Sequence, residues 1–497
     1  MVMNTTMNRR QVLAAAGLGA GALCLPRFAR AQDADQRFLI VLAATGGASI
    51  IDAMLAVRES ESANASIMNT YPDGMVTDID GTPFRAIDQR LDRIGPLPYS
   101  GLVNQSNFVR RHAQNMMVVT HTGTSVNHII AQKRSLTGND AWAGRTLPEA
   151  VAAKYGLGMP LPNVNMAVGG YLEPGIDPSL PPEAIASVVT DPRLLFAGLD
   201  GSRGIERAPE KALLNIAREY RDGRLDVEST FAKTFKNSSA LALWKSQRAN
   251  GRRIEAANLI TKLNMLPDTP ATPLSRYGLD STADTVRLRQ VFPLFFEDPL
   301  ESQAALAYLL LKNRVSATVT IGPSLAPLVN VTQPVDSPPL AFDFSHSSHR
   351  GAQGLMWHRI LSVADRLIGL LEEIEYSPGV SFWEQTMIYV ATDFGRSKRR
   401  PADAPDFGTG HHINNGSLII SPLVNGNSVL GGVNGDTLET YGFNPNTGAA
   451  APGRSMSEGE IYSGLLGALN IEPEGANLLS VPVMSRSSPS PRQVSGS

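Results

Sequence analysis

A chain of 497 residues with 42% hydrophobic content has to bury a large core, which excludes a peptide, a single small module and a disordered chain. Charged residues are only 18%, and 44 Lys and Arg against 46 Asp and Glu leave a formal charge of -2, so no basic field exists to hold nucleic acid. With 44 glycines and 34 prolines the composition favours many turns and a mixed α/β chain over a helical bundle, and no internal repeat is visible.

Residues 1–31 read as an export signal. Arg9-Arg10 precede a weakly hydrophobic stretch from Val12 to Leu25, and Ala29-Arg30-Ala31 follows as a small-x-small cleavage site, the pattern of a twin-arginine signal peptide. The expected partner is the twin-arginine export machinery and the expected location is periplasmic or secreted, with no stable membrane span. The competing reading is an N-terminal anchor. Cleavage would remove Arg9, Arg10, Arg27 and Arg30 and no acidic residue, taking the formal charge to -6, and would also remove Cys24, the single cysteine. A chain without cysteine has no disulfide, no thiolate nucleophile and no cysteine-ligated metal, so any metal has to sit on His, Asp or Glu.

The remaining chain opens with the apolar run from Arg37 to Ala44, bounded by Thr45-Gly46-Gly47, which predicts a central strand buried on both faces. Similar runs at 116–120, 317–321 and 387–391 predict three more buried strands. Helices are expected over Ser302–Asn313 and Leu355–Ile374 from their apolar spacing, and a capping box of Ser457 with Glu460 starts another through Leu469. The sum is a three-layer α/β/α fold with a mostly parallel sheet. Charged amphipathic stretches over about 203–265 suggest a helical insertion. Asn425-Gly426, Gly431-Gly432 and Asn434-Gly435 suggest hairpin turns, and the Ser/Pro-rich residues 485–497 a disordered tail.

The histidines carry most of the chemical information. His121 and His128, His346 and His349, and His411 and His412 follow predicted strands, and Asp52, Asp343 and Asp393 lie in the same loops. In an open parallel sheet ligands bind beyond the carboxyl ends of the strands, so these loops are expected to meet at one crevice. Imidazoles and carboxylates gathered there suit a divalent metal: zinc, manganese, magnesium or calcium. Each piece also has a structural alternative: an Asx-turn at Asp343, a tight turn at His411-His412, a helix cap or an ion pair with Arg396 at Asp393. His112 and His358 fall on predicted helices and are given no function.

Gly46-Gly47, Asn127-His128 through Thr137-Gly138, Asp343 to His346 before a long helix, Thr392-Asp393-Phe394-Gly395-Arg396 and Gly410-His411-His412 occur in a family-like order. On these residues the chain resembles a family of secreted bacterial proteins catalogued as domain of unknown function 1501, itself similar in fold to the alkaline phosphatase and sulfatase superfamily. The resemblance spans most of residues 37–475. It implies a metal set drawn from Asp52, Asp343, His346, Asp393, His411 and His412, with His128 or Arg396 steadying a substrate anion. The chain departs from the pattern in two places: Ser49 stands where the family commonly has aspartate, and His128 stands where a phosphatase has its nucleophile. Thr122, Thr124 and Ser125 lie close by, and their spacing selects none of them. Two functions are therefore expected: a metal-dependent hydrolase of phosphate or sulfate esters, or a non-catalytic protein that kept the fold and binds a glycan or a protein partner.

Overall fold

The computed structural model describes residues 35–486 apart from position 96 and the stretches 196–210, 246–247, 249–258, 271–272, 275–280 and 324–340. The export signal expected at 1–31 lies outside the described residues. A central sheet of eight strands organises the chain: β1 Phe38–Ala44, β2 Met116–Thr122, β3 Asn163–Asn165, β4 Ser187–Val188, β5 Thr318–Ile321, β6 Thr386–Thr392, β7 Asn414–Ile420 and β8 Ser428–Leu430. Their spatial order is β8-β2-β7-β6-β1-β5-β3-β4. All neighbours are parallel except those of β7, which runs antiparallel to β6 and to β2.

Both faces of the sheet are buried by helices. Along β1, Phe38, Ile40, Leu42 and Ala44 enter one core while Leu39, Val41 and Ala43 enter another, as the two-residue period of a strand requires. Helices α3 Pro299–Lys312 and α4 His349–Glu372 close the first core; α1 His128–Thr137, α2 Leu147–Val151 and α5 Glu458–Ala468 close the second. Because β1 is covered on both sides, its sequence is a continuous apolar run rather than an alternating one. The capping box of Ser457 and Glu460 is present at the start of α5, and Asp298 caps α3 through Leu300 N at 2.8 Å.

The structure departs from the sequence expectations in several places. Strand β7 was not anticipated, because Asn414-Asn415-Gly416 reads as a turn. Those asparagines are instead buried and bonded to neighbouring loops. A three-stranded antiparallel meander of Val76–Asp78, Arg85–Ile94 and Leu97–Asn104 stands between β1 and β2. Helix α4 starts earlier than expected: Ser348 precedes it, and the His349 amide donates to Phe407 O at 2.8 Å. Asn434 lies in a hairpin between Gly432–Val433 and Thr440–Phe443, as expected. Asn425-Gly426 instead lies on the path from β7 to β8, which flank β2 on opposite sides and share no hairpin. Gly431, at φ +97°, joins β8 to the first strand of that hairpin.

The described part of 203–265 holds helices Lys211–Tyr220, Asp226–Glu228, Thr230–Thr234 and Leu259–Leu263 and no strand. At the other end, Ser485 bridges Val424 and Arg486 N bonds to Leu423 O, so the start of the Ser/Pro-rich tail is pinned; residues 487–497 lie outside the described residues. Among the described residues no helix is long and apolar enough to cross a membrane.

Burial on both faces makes β1 the strand with most to lose. Ile40→Ala is expected to lower stability by about 2–5 kcal/mol, read as a reduced urea midpoint with unchanged slope.

Candidate metal centre

The register of the sheet sets the position of the site. Ala44 pairs with Thr392, so the turn Thr45–Gly47 and Asp393 leave β1 and β6 side by side. Strand β7 is antiparallel and therefore begins at this same edge, bringing His411 and His412 to it. Asp393 Oδ1 accepts from Gly47 N at 2.6 Å and Oδ2 from Gly46 N at 3.1 Å. Gly46 has φ +99°, and a Cβ there would stand 2.3 Å from Asp343 N, so both the backbone angle and the close approach need glycine.

His128 is the first residue of α1, whose cap Asn127 accepts from Ile130 N at 3.3 Å. Its Nδ1–H donates to Asp393 Oδ2 at 2.7 Å, which fixes the ring and leaves Nε2 facing Asp343 Oδ1 at 3.2 Å. Asp343 and His346 share a 3₁₀ turn, Ala341–His346. With three residues per turn, side chains three apart eclipse, and His346 Nε2 stands 3.2 Å from the same oxygen. His411 pairs across a two-residue antiparallel bridge with Arg396. Its Nδ1–H donates to Val126 O at 2.9 Å, and its Nε2 lies 2.9 Å from His346 Nε2 and 3.5 Å from Asp343 Oδ1.

Four donor atoms thus meet at the carboxyl edge of the sheet, and those of His128, Asp343 and His411 all lie within 4.8 Å of one another. A tetrahedral zinc with nitrogen ligands at about 2.0–2.1 Å has ligand-to-ligand edges of about 3.3 Å. The contacts onto Asp343 Oδ1, at 3.2 to 3.5 Å, are near that value, and His128, Asp343 and His411 are the three whose donors are all mutually close, with His346 bordering them. The second nitrogens of His128 and His411 are bonded to a carboxylate and a carbonyl, the outer partners that orient metal-bound histidines. The donors therefore fit a divalent cation. Two imidazoles and a carboxylate, with His346 beside them, suit zinc or manganese better than the oxygen-seeking magnesium and calcium.

The electrostatics agree with this chemistry. Burial pushes the imidazoles of His346 and His411 down, and the Arg396 charge adds to it, which keeps both rings neutral with a lone pair to offer. For Asp343, burial works against ionisation, but hydrogen bonds from and charges on His128 and Arg396 hold the carboxyl well below the usual range. Burial likewise disfavours the charged His128, yet its bonds to Asp343 and Asp393 outweigh it and push the ring up to about 9. A metal at this position has to displace that proton.

The other expected site residues take different places around this cluster. Arg396 is 1% exposed. Its terminal nitrogens donate to Asp343 Oδ1 at 2.7 Å and to the carbonyls of Gly46, Phe342 and Thr409. It holds the site's loops together, and a terminal nitrogen 3.3 Å from His346 Nε2 borders the donor cluster from its buried side. His128 belongs to the donor cluster rather than standing apart from it as an anion-steadying group. Asp393 has both oxygens taken by amides and by His128, so it positions a ligand instead of being one. His412 points to the opposite side of its strand from His411, as neighbours in a strand do, and lies 3.5 Å from Glu439.

Asp52 is fully buried in a separate network. Its Oδ1 accepts from the Tyr71 hydroxyl at 2.6 Å, the Asn69 amide at 2.9 Å and His349 Nε2 at 3.0 Å, and His349 Nδ1 meets Thr409 Oγ1 at 2.9 Å. Burial would raise its carboxyl, but the His349 charge and the hydrogen bonds from His349 and Tyr71 hold it well below the ordinary value. Asn69 and Tyr71 were not singled out in the sequence, and nothing local marks them: they become partners of Asp52 only through folding. His121 is half-buried, its ring 3.0 Å from Ser417 Oγ, and desolvation pushes that ring down to about 4.

Compared with models of known protein families and with curated proteins, the chain matches none.

Two outcomes follow. Asp52→Ala leaves His349 and Tyr71 without their buried acceptor and is expected to cost about 3–5 kcal/mol. A carboxyl with a depressed folded value stabilises above its unfolded value of about 3.9 and loses that contribution as pH falls. The difference between wild type and Asp52→Asn in thermal melts should therefore shrink below about pH 4. His128 has the opposite sign. Its raised value stabilises metal-free protein fully below about 6.5 and is lost as pH rises through about 9. In chelator-treated protein the melting temperature should fall across that window, and His128→Gln should flatten the fall.

Proposed function

We propose that the protein is a metal-dependent hydrolase of phosphate or sulfate esters, built on an alkaline phosphatase-like form of the α/β fold and exported to the periplasm or beyond by the twin-arginine machinery. The observation that carries this reading is the cluster of His128, Asp343 and His411, whose donor atoms all lie within 4.8 Å of one another, with His346 bordering it at 2.9 Å from His411 and 3.2 Å from Asp343. The order of the resembling motifs supports the family, and the site's place at the carboxyl edge of the sheet supports a catalytic crevice.

A divalent ion held there would supply Lewis-acid stabilisation of charge developing on an ester oxygen. The chain's own residues provide everything around it. His411 and His128 offer Nε2 from rings locked by Val126 O and Asp393. Asp343 offers a carboxylate kept ionised by Arg396. His346, whose side chain is 46% exposed, and Asp343, at 26%, form the solvent-facing side from which a small anionic ester would arrive.

A second reading, a non-catalytic binding or assembly protein on the same fold, draws on the hydroxyls around the site. Thr124 Oγ1 donates to Glu458 at 2.7 Å, Ser125 Oγ accepts from Asn127 N, and Ser345 and Thr409 are tied to Gln353 and His349. Each is engaged: Thr124 faces a carboxylate, and Thr409, the hydroxyl that meets an imidazole, is 4% exposed and so closed to an arriving ester.

Metal content by mass spectrometry, combined with a screen of aryl phosphate and sulfate esters, separates the possibilities. Wild type should carry about one equivalent of zinc or manganese. His411→Ala and His128→Ala should each lose roughly tenfold or more in metal affinity and turnover. Stoichiometric metal without turnover of any ester would favour the binding protein, and no stoichiometric metal would overturn the metal centre itself.

A further inference from the structure

Exposed apolar side chains are concentrated in one part of the molecule. Of the 23 large apolar residues exposed among those described, eight fall between Leu213 and Trp244, in the helices that follow β4. Scattered exposed apolar residues are ordinary, whereas such a concentration marks a contact surface. Leu213, Ile216 and Tyr220 are 59%, 63% and 53% exposed and share one face of helix Lys211–Tyr220 by their spacing. Phe231 and Phe235, one turn apart, have ring centroids 4.8 Å apart and stay exposed, as does Trp244.

The charge of this segment says what lies against it. From Lys211 to Arg248 there are eight Lys and Arg and four Asp and Glu, a positive surplus in a chain whose total is -2. The cations also stand beside the aromatic rings: the Arg248 guanidinium is 3.8 Å from the Trp244 ring centroid and that of Arg224 is 5.8 Å from Tyr220. Exposed Trp, Tyr, Phe and Leu bordered by Lys and Arg are the pattern of a helix lying in a membrane interface, apolar face among the acyl chains and cations at the headgroups. A second copy fits less well, because a two-fold contact would set the positive surplus against itself.

We propose that segment Leu213–Trp244 lays its apolar side chains on an anionic lipid surface, attaching the protein peripherally. The inference is independent of the metal centre.

The test is sedimentation of the purified protein with vesicles of phosphatidylglycerol and phosphatidylethanolamine, and separately of phosphatidylcholine, together with tryptophan fluorescence. Of the four tryptophans, Trp142, Trp357 and Trp383 are buried, so a blue shift on binding reports Trp244. Anionic vesicles should bind the protein and shift its emission, and added salt should weaken the binding. Phe231→Ser/Phe235→Ser should reduce binding roughly tenfold or more, and so should Lys233→Gln/Lys236→Gln. All four positions are exposed, so the fold should survive, checked by circular dichroism. No preference for anionic vesicles, or binding unchanged in both variants, would overturn the proposal. So would a concentration-dependent dimer in analytical ultracentrifugation that Phe231→Ser/Phe235→Ser abolishes.

Discussion

The site depends on one carboxylate. Asp393 leaves the end of β6 beside the turn that ends β1, and with its two oxygens it takes the amides of Gly46 and Gly47 and the Nδ1–H of His128. Two adjacent parallel strands and the first residue of a helix are thereby fixed to one another. The amides that Asp393 accepts would otherwise be buried donors without partners, so the interaction satisfies the backbone as it orients the ring. The same turn brings Gly46 so close to Asp343 that no side chain fits between them.

Around that point the molecule uses carboxylate and imidazole pairs for two different ends. In the Asp52 network the groups are buried and three donors converge on one carboxylate oxygen, Oδ1, while Asp52 Oδ2 and Asn69 Oδ1 have no hydrogen-bond partner among the described residues; the pair with His349 joins the chain at Asn69–Tyr71 to α4 and to the loop at Thr409. In the Asp343 cluster the carboxylate and imidazoles are half-buried and three imidazole nitrogens crowd one oxygen. Packing like donors together is unfavourable unless something cationic joins them or one carries a proton, and this is why the second arrangement, not the first, has the character of a binding site. Arg396 belongs to both settings. Its guanidinium fills the space beneath the cluster, bonded to carbonyls of three loops and to Asp343, and so helps keep the carboxylate ionised and the loops in register.

Much of the scaffold is legible in the sequence because burial on both faces leaves a continuous apolar signal. Phe38–Ala44 and Met387–Ala391 could be seen for that reason, as could the apolar face of α4. Strand β7 could not: its polar start is bonded to other loops, with Asn415 reaching Ala48 O and Phe394 O and Asn414 reaching Thr440 O. Nothing within seven residues announces such partners. The gathering of His346 and His411 near Asp343 was visible as histidines following strands, whereas the division of His411 from His412 required the pairing of Arg396 with His411 across an antiparallel bridge.

What the sequence determined by itself is the list of chemically able groups and the sheet edge they share, since strand patterning and loop position are local properties. It also confines thiol chemistry to a single position, Cys24, because that needs only a count of one residue type. The tertiary structure alone decided which groups are ligand donors and which are supports. Asp52, Asp343 and Asp393 are equivalent as letters, yet one is buried against His349, one faces three imidazoles and one is saturated by backbone amides. Their roles follow from the partners that long-range strand register brings within hydrogen-bonding distance, and register is set by the whole sheet rather than by any loop.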